Sequence, residues 1–296
     1  VILVAGGTGR LGTLVVSRLA ARGVDVRVLT RDPARARHLG DMASEIVKGD
    51  VRDRASVERA MRGVAVVVSA VQGFAGPGRT TPASVDRDGN ANLVDIAASA
   101  GADVVLVSIV RASPDNPMDL FRAKYDAEQH LRASSVPWTI VRASAFVELW
   151  ADIMTKPIVF GRGDNPINFV SVGDVAAVVE RAVRDASLRG EVLEVGGPQD
   201  ITFNELAALL QEIRGHQAKV RHVPRWLLHT MAPVTRQARA AIAMDTIDMT
   251  FDGIAAHDAF ADLPMTDIRT ALTRAAGELR RETEPTSVTP HERRPH

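Results

Sequence analysis

Cysteine is absent from this 296-residue chain, which excludes a disulfide framework, a zinc–thiolate site and a thiol nucleophile. Lysine is scarce: it stands only at positions 48, 124, 156 and 219, so 32 of the 36 basic residues are arginine. There is one tyrosine, and aromatic residues make up 4% of the chain. An excess of one charge is missing as well. The 36 acidic residues balance the 36 basic ones, no tract of like charge occurs, and nucleic acid is therefore not an expected partner. No apolar run approaches the roughly 20 residues of a membrane helix, so no membrane association is expected. "VILVAGG" is too short an apolar stretch, and lacks the basic leader, for a secretion signal; with no cysteine, a cytoplasmic setting is the expectation. The eight histidines show no H-E-x-x-H spacing, so no metal is expected, and no G-x-S-x-G elbow supports a hydrolase.

What remains, 46% hydrophobic and 24% charged, is a globular composition with enough interior for a large core. Short β-branched runs alternate with helix-length segments. "VILVA" (1–5), "VDVRVLT" (24–30), "SEIVKG" (44–49), "VAVVVSA" (64–70), "DVVLVS" (103–108) and "WTIVR" (138–142) read as strands. After the first, Leu11, Leu14, Val15, Arg18 and Leu19 recur at helical spacing, an apolar stripe with the Arg18 stem along its edge. Strand and helix in strict turn imply right-handed crossovers and an α/β fold with a doubly wound parallel sheet. Near residue 157 the rhythm changes. Residues 1–156 are expected to form a nucleotide domain, 157–281 mainly a smaller C-terminal substrate lobe with some elements returning to the first domain, and 282–296 a flexible tail. Within the lobe, Thr202 with Glu205 has the capping-box pattern, and "RWLLHTM" (225–231) and "ARAAIAM" (238–244) read as helices.

"AGGTGRLG" (5–12) places Gly6, Gly9 and Gly12 at G-x-x-G-x-x-G spacing between the first strand and its helix. Glycines allow the tight turn and the close approach of backbone to a pyrophosphate, while the helix N-terminus presents unpaired N–H groups. Gly6, Thr8, Gly9, Arg10, Leu11 and Gly12 are thus expected coenzyme contacts, with Val51 and Ala70 after the third and fourth strands. About 20 residues on, where an NAD site holds an acid for the ribose, this chain has Thr30 and Arg31. A guanidinium there suits a 2′-phosphate, so NADP is expected over NAD, with Arg10 and Arg35 as helpers; Asp32 follows the turn of the strand. Asp50 after the third strand suits either the adenine amino group or a turn, and Asp53 a helix N-cap.

Taken with "VLTRDPAR", "GDVRD", "KYDAEQHLRASSVPWTIVR" and "FVSVGDVA", the loop resembles the NmrA-like, atypical branch of the extended short-chain dehydrogenase/reductase superfamily over most of the chain. The resemblance implies a Rossmann-type nucleotide domain, NAD(P), and a substrate cleft against the C-terminal lobe. It also places Lys124 on the lysine of the superfamily's Tyr-x-x-x-Lys signature, with Leu120 where the tyrosine belongs. Tyr125 is rotated by about 100° from Lys124 on a helix and does not take its place. That matters because a phenol delivers the proton in this chemistry. Lys124 then either donates to the coenzyme ribose or forms a surface pair with Glu128. Ser108 falls near the family's fifth-strand hydroxyl, and Ala143 replaces the proline of an Arg-Pro pair. Backbone at Ser144 and Ala145 is expected near the nicotinamide. Leu120, Tyr125, Phe146 and Trp150 are candidates for the substrate wall. Phe146, Trp150 and Met154, with Trp226 and Met231, suggest either an apolar substrate pocket or an interdomain core.

The expected function is an NADP-preferring reductase of a small apolar enone, quinone or imine-like acceptor, with Lys124 the catalytic candidate. The alternative is a non-catalytic NAD(P)-binding sensor or assembly subunit. Oligomeric state is open on sequence alone.

Overall fold

Every residue of Ile2–Ala5 and of Val66–Ser69 is buried, the pattern of strands covered on both faces. The computed structural model describes residues 1–74, 80–215, 218–263 and 265–283. The strands are β1 (Ile2–Ala5), β2 (Val26–Thr30), β3 (Glu45–Lys48), β4 (Val66–Ser69), β5 (Asp103–Ile109), β6 (Trp138–Ala143), β7 (Ala145–Phe146), β8 (Ile158–Phe160), β9 (Ile167–Val170), β10 (Val192–Val195), β11 (Gln199–Ile201) and β12 (Arg221–Val223). The helices are α1 (Arg10–Ala20), α2 (Arg54–Met61), α3 (Asp88–Ala100), α4 (Asp119–Ala133), α5 (Val147–Ile153), α6 (Val172–Arg184), α7 (Phe203–Arg214), α8 (Arg225–Met231), α9 (Arg236–Met244), α10 (Gly253–His257) and α11 (Ile268–Thr283).

Seven strands form one parallel sheet in the order β10-β6-β5-β4-β1-β2-β3. This is the Rossmann-type, doubly wound order, and it reverses between β1 and β4, where such folds leave a crevice outside the strand ends. One face packs on α1 and α6 through Val15, Val16, Leu19, Val175 and Val179; the other packs on α2, α3 and α4 through Val57, Leu93, Ala97 and Leu131. Beyond residue 157, α6 and β10 return to this sheet. A separate core of Phe169, Phe203, Leu206, Met154 and Leu272 lies beneath two small sheets, β11-β9-β7 and β12-β8.

The stripe expected on α1 is shifted. Leu14 is exposed, and Gly12 and Val16 are buried instead beside Leu11, Val15 and Leu19, because α6 covers that side of the helix. Arg18 stands at the rim. It donates to Glu180 of α6 at 2.8 Å, and Arg22 donates to the same buried carboxylate at 3.0 Å. The Thr202–Glu205 capping box opens α7. Of the tail expected at 282–296, residues 282 and 283 end α11 and the rest lies outside the described residues. Among the described residues no helix is long and apolar enough to cross a membrane.

Candidate functional site

At the sheet's reversal point β1 runs into the glycine loop, which doubles back beside the exit of β4. Gly6 has φ +86°, and a Cβ there would stand 2.6 Å from the Ala70 carbonyl oxygen. A Cβ on Gly12 would stand 2.2 Å from the Gly6 carbonyl oxygen. Both contacts are with backbone, so the turn closes only because these residues lack side chains. The Gly9 amide donates to Gly6 O at 3.0 Å, which tightens the turn into α1. Gly9 is the N-cap of α1 and offers no side-chain acceptor, and no acid sits in the first turn. The first-turn amides are thus left without a side-chain partner, and the helix end favours an anion. Thr8 is half-buried within the turn, and Leu11 buries its side chain, so its amide is what it offers.

After β2, Arg31 is exposed, its guanidinium donating to Thr80 Oγ1 at 3.2 Å. Asp32 is committed elsewhere: its carboxylate accepts from the Ala34 amide and caps the 3₁₀ segment Pro33–Met42. Arg35 is exposed on that segment. The Asp50 carboxylate accepts from the Arg52 amide at 3.0 Å and from its guanidinium at 2.6 Å, and this pairing holds its pKa below the usual carboxylate value. Asp53 caps α2 through the Ala55 amide. Val51 is buried. Arg10 forms an ion pair with Asp152 of α5, which joins the start of α1 to the second core.

At the other end, Lys124 of α4 is only 6% exposed. Its Nζ donates to Val71 O and Val107 O, each at 3.0 Å, and lies 3.0 Å from Asp86 Oδ1. The alternative reading, a surface pair with Glu128, does not form among the described residues. Both side chains lie on the face of α4 turned to the sheet, and Glu128 instead accepts from the Ser108 hydroxyl and from the Arg142 guanidinium at 2.6 and 3.0 Å. Arg142 also reaches Glu194 at 3.2 Å, and its hydrogen bonds to Glu128, opposed by burial, raise its pKa. Ser108 is therefore spent on a buried charge network. The Ser144 amide is also taken, by Val195 O at 2.9 Å, and Ala145 pairs with Phe169 between β7 and β9. What Ser144 leaves over is its hydroxyl, buried without a hydrogen-bond partner among the described residues.

The wall candidates are divided rather than gathered. Leu120 and Trp150 pack on the second core, the Trp150 ring 4.7 Å from Phe203, whereas Phe146 packs on the sheet and Tyr125 is half-buried on another side of α4. The aromatic cluster expected to include Trp226 and Met231 does not assemble: they are 68% and 42% exposed, while Met154 is buried. Apolar character called for burial, but α8 presents those two residues outward. A cavity of about 780 Å³ opens instead beside β6 and β10, lined by Arg111, Arg142, Asn168, Glu194 and Asp200 among others; the glycine loop and Lys124 do not line it.

Sequence reading missed Asp86. It sits in a π-turn, Ala83–Arg87, that leads into α3, and its carboxylate is fully buried. Burial raises its pKa, with the Lys124 charge pulling the other way. No local pattern announces a π-turn, although such insertions are frequent at functional sites. The backbone cradle and the uncapped helix end together suit the diphosphate of a nicotinamide dinucleotide along the ends of β1 and β4.

Residues 6–186 match the family model described as NAD(P)H-binding. The chain is 35% identical to the (4-alkanoyl-5-oxo-2,5-dihydrofuran-3-yl)methyl phosphate reductase of Streptomyces griseus subsp. griseus, across 72% of this chain and 74% of that protein. It is 24% identical to the photosystem II assembly factor Ycf39 of Trieres chinensis, across 79% and 75%. Its fold matches an NADPH-dependent quinone oxidoreductase of Escherichia coli, crystallised with NADPH, with a TM-score of 0.74 at 20% identity, covering 93% of this chain and 99% of that one.

Proposed function

This chain belongs to the NAD(P)H-binding family, and from that premise we propose that it is an NADPH-preferring reductase of a small apolar enone, quinone or imine-like acceptor, held between the parallel sheet and the C-terminal lobe. The reduced nicotinamide, when bound, supplies the hydride. First-turn amides of α1 and the Gly6–Gly12 turn hold the diphosphate, and Arg31 pairs with a 2′-phosphate. Lys124 directs an N–H to the ribose hydroxyls or to the acceptor.

The observation that carries the reading is the cradle beyond the ends of the neighbouring parallel strands β1 and β4, where backbone contacts at Gly6 and Gly12 exclude any Cβ. The acceptor class follows from Leu120, one helical turn before Lys124: no phenol stands where a ketone reductase places its acid, so acceptors that ask less of a protein acid are favoured. The Streptomyces griseus relative is named for an alkanoyl-oxo-dihydrofuranyl methyl phosphate, whose unsaturated ring is in keeping with an enone acceptor while its phosphate is not apolar. NADPH oxidation with a panel of quinones and enones, followed at the coenzyme absorbance band, tests it. Turnover is expected with some of these and not with simple ketones.

A second reading, a nucleotide-binding assembly or sensing subunit, is favoured by the similarity to an assembly factor and by the same missing phenol. NADPH binding with no turnover across the panel selects it.

The coenzyme preference has its own test. Arg31→Asp is expected to weaken NADPH by about tenfold to a hundredfold, the size of one or two charge-assisted hydrogen bonds, and NADH by less than about threefold. Equal effects on the two coenzymes in a fluorescence titration refute the role of Arg31.

A further inference from the structure

Asp86 is placed with more care than a buried carboxylate needs for packing. The π-turn Ala83–Arg87 displaces it from the regular register of the helix, and Asn90 secures the turn by donating to the Asp86 carbonyl at 2.7 Å while accepting from the Ser69 hydroxyl at the end of β4. The side chain then meets two elements. Its Oδ2 accepts from the Gly73 amide at 2.8 Å, in the segment leaving β4, and its Oδ1 faces Lys124 Nζ at 3.0 Å. Nζ and Oδ1 form a close, buried ion pair, with the angle outside regular hydrogen-bond geometry. Two of the three ammonium N–H bonds go to Val71 O and Val107 O. The third has no aligned acceptor among the described residues. Two further charged groups turned to the sheet here, Glu128 and Arg142, are paired with each other.

An ammonium this deep in the protein is costly unless a counter-charge accompanies it, yet a carboxylate that captured its last N–H would leave it nothing to give. We propose that Asp86 is a positioning residue of the reduction site: the π-turn sets its carboxylate against Lys124 as a counter-charge that fixes the ammonium while leaving one N–H for the coenzyme ribose or the acceptor. The proposal rests on the coenzyme reading above and adds a residue to it. Asp86 touches neither coenzyme nor acceptor. It acts through Lys124.

The test is a double-mutant cycle on NADPH affinity with Asp86→Asn, Lys124→Met and the combined variant, each checked for folding by thermal unfolding. Asp86→Asn is expected to weaken NADPH about tenfold in the wild-type background and by less than twofold when Lys124 is already Met. A carboxylate that merely fastens Gly73 gives the same loss in both backgrounds. Additive losses, or no loss in Asp86→Asn, overturn the proposal. A second measurement needs no Asp86 variant: with four lysines in the chain, ¹³Cε-lysine labelling gives four signals, and the one missing in Lys124→Met is expected to move on NADPH addition. A Lys124 signal that stays still while NADPH binds also overturns it. Wild-type protein that binds neither NADPH nor NADH defeats the coenzyme reading and the proposal together; binding with additive losses defeats the proposal alone.

Discussion

Gly12→Ala is expected to lower NADPH affinity by about a hundredfold or more while the protein still folds. The new Cβ would stand 2.2 Å from Gly6 O and 2.7 Å from Gly7 Cα, both backbone atoms, so no side chain can swing aside to admit it. Either the Gly6–Gly9 turn opens or the start of α1 lifts from β1. Each moves the amides that would meet the diphosphate, and loss of roughly two charge-assisted hydrogen bonds is enough for an affinity change of this order. Forced overpacking of this kind costs about 1–3 kcal/mol of stability, which a chain of this size can absorb. Gly277→Ala serves as control: its Cβ meets nothing within 4 Å in α11, and NADPH affinity should not change. Calorimetric titration of both variants decides the matter. An affinity for Gly12→Ala within threefold of wild type removes the glycine turn from the coenzyme site.

Arg142→Ala is expected to cost about 3–5 kcal/mol of folding stability, because it strands the fully buried Glu128 carboxylate. Two guanidinium contacts, at 2.6 and 3.0 Å, would vanish, leaving the Ser108 hydroxyl as the remaining donor to that carboxylate. The same guanidinium ties β6 to Glu194 on β10, so the sheet edge loosens as well. In urea the midpoint should fall with little change in slope. Glu128→Gln combined with Arg142→Ala should recover a large part of the loss, since the uncompensated charge is then gone. A loss below about 1 kcal/mol for Arg142→Ala, or no recovery in the pair, means that Glu128 finds other compensation.

Much of this site was legible in the chain because its signals are local. The glycine turn needs three residues at fixed spacing between a strand and a helix. Its cradle lies where that spacing put it, and the Asp53 cap and the Thr202–Glu205 box are likewise made by neighbours in sequence. Ambiguity began wherever a side chain had a choice of partners. Lys124 and Glu128 are four residues apart on one helix, a spacing that suits an exposed ion pair; burial of that face sent the first to Asp86 and the second to Arg142. Asp50, open between adenine and a turn, is held by Arg52 two residues away.

The order of elements, the glycine turn and the absence of a phenol one turn before Lys124 are properties of the sequence, since each depends on residue identity and short-range geometry. Tertiary structure decided which face of α1 is covered, that Trp226 and Met231 stay outside the aromatic core, and that a π-turn brings Asp86 to the lysine 38 positions later in the chain. Those outcomes turn on which surface packs against which. Hydrophobicity and charge state only that a group needs cover or a counter-ion; the partner is chosen when distant segments meet.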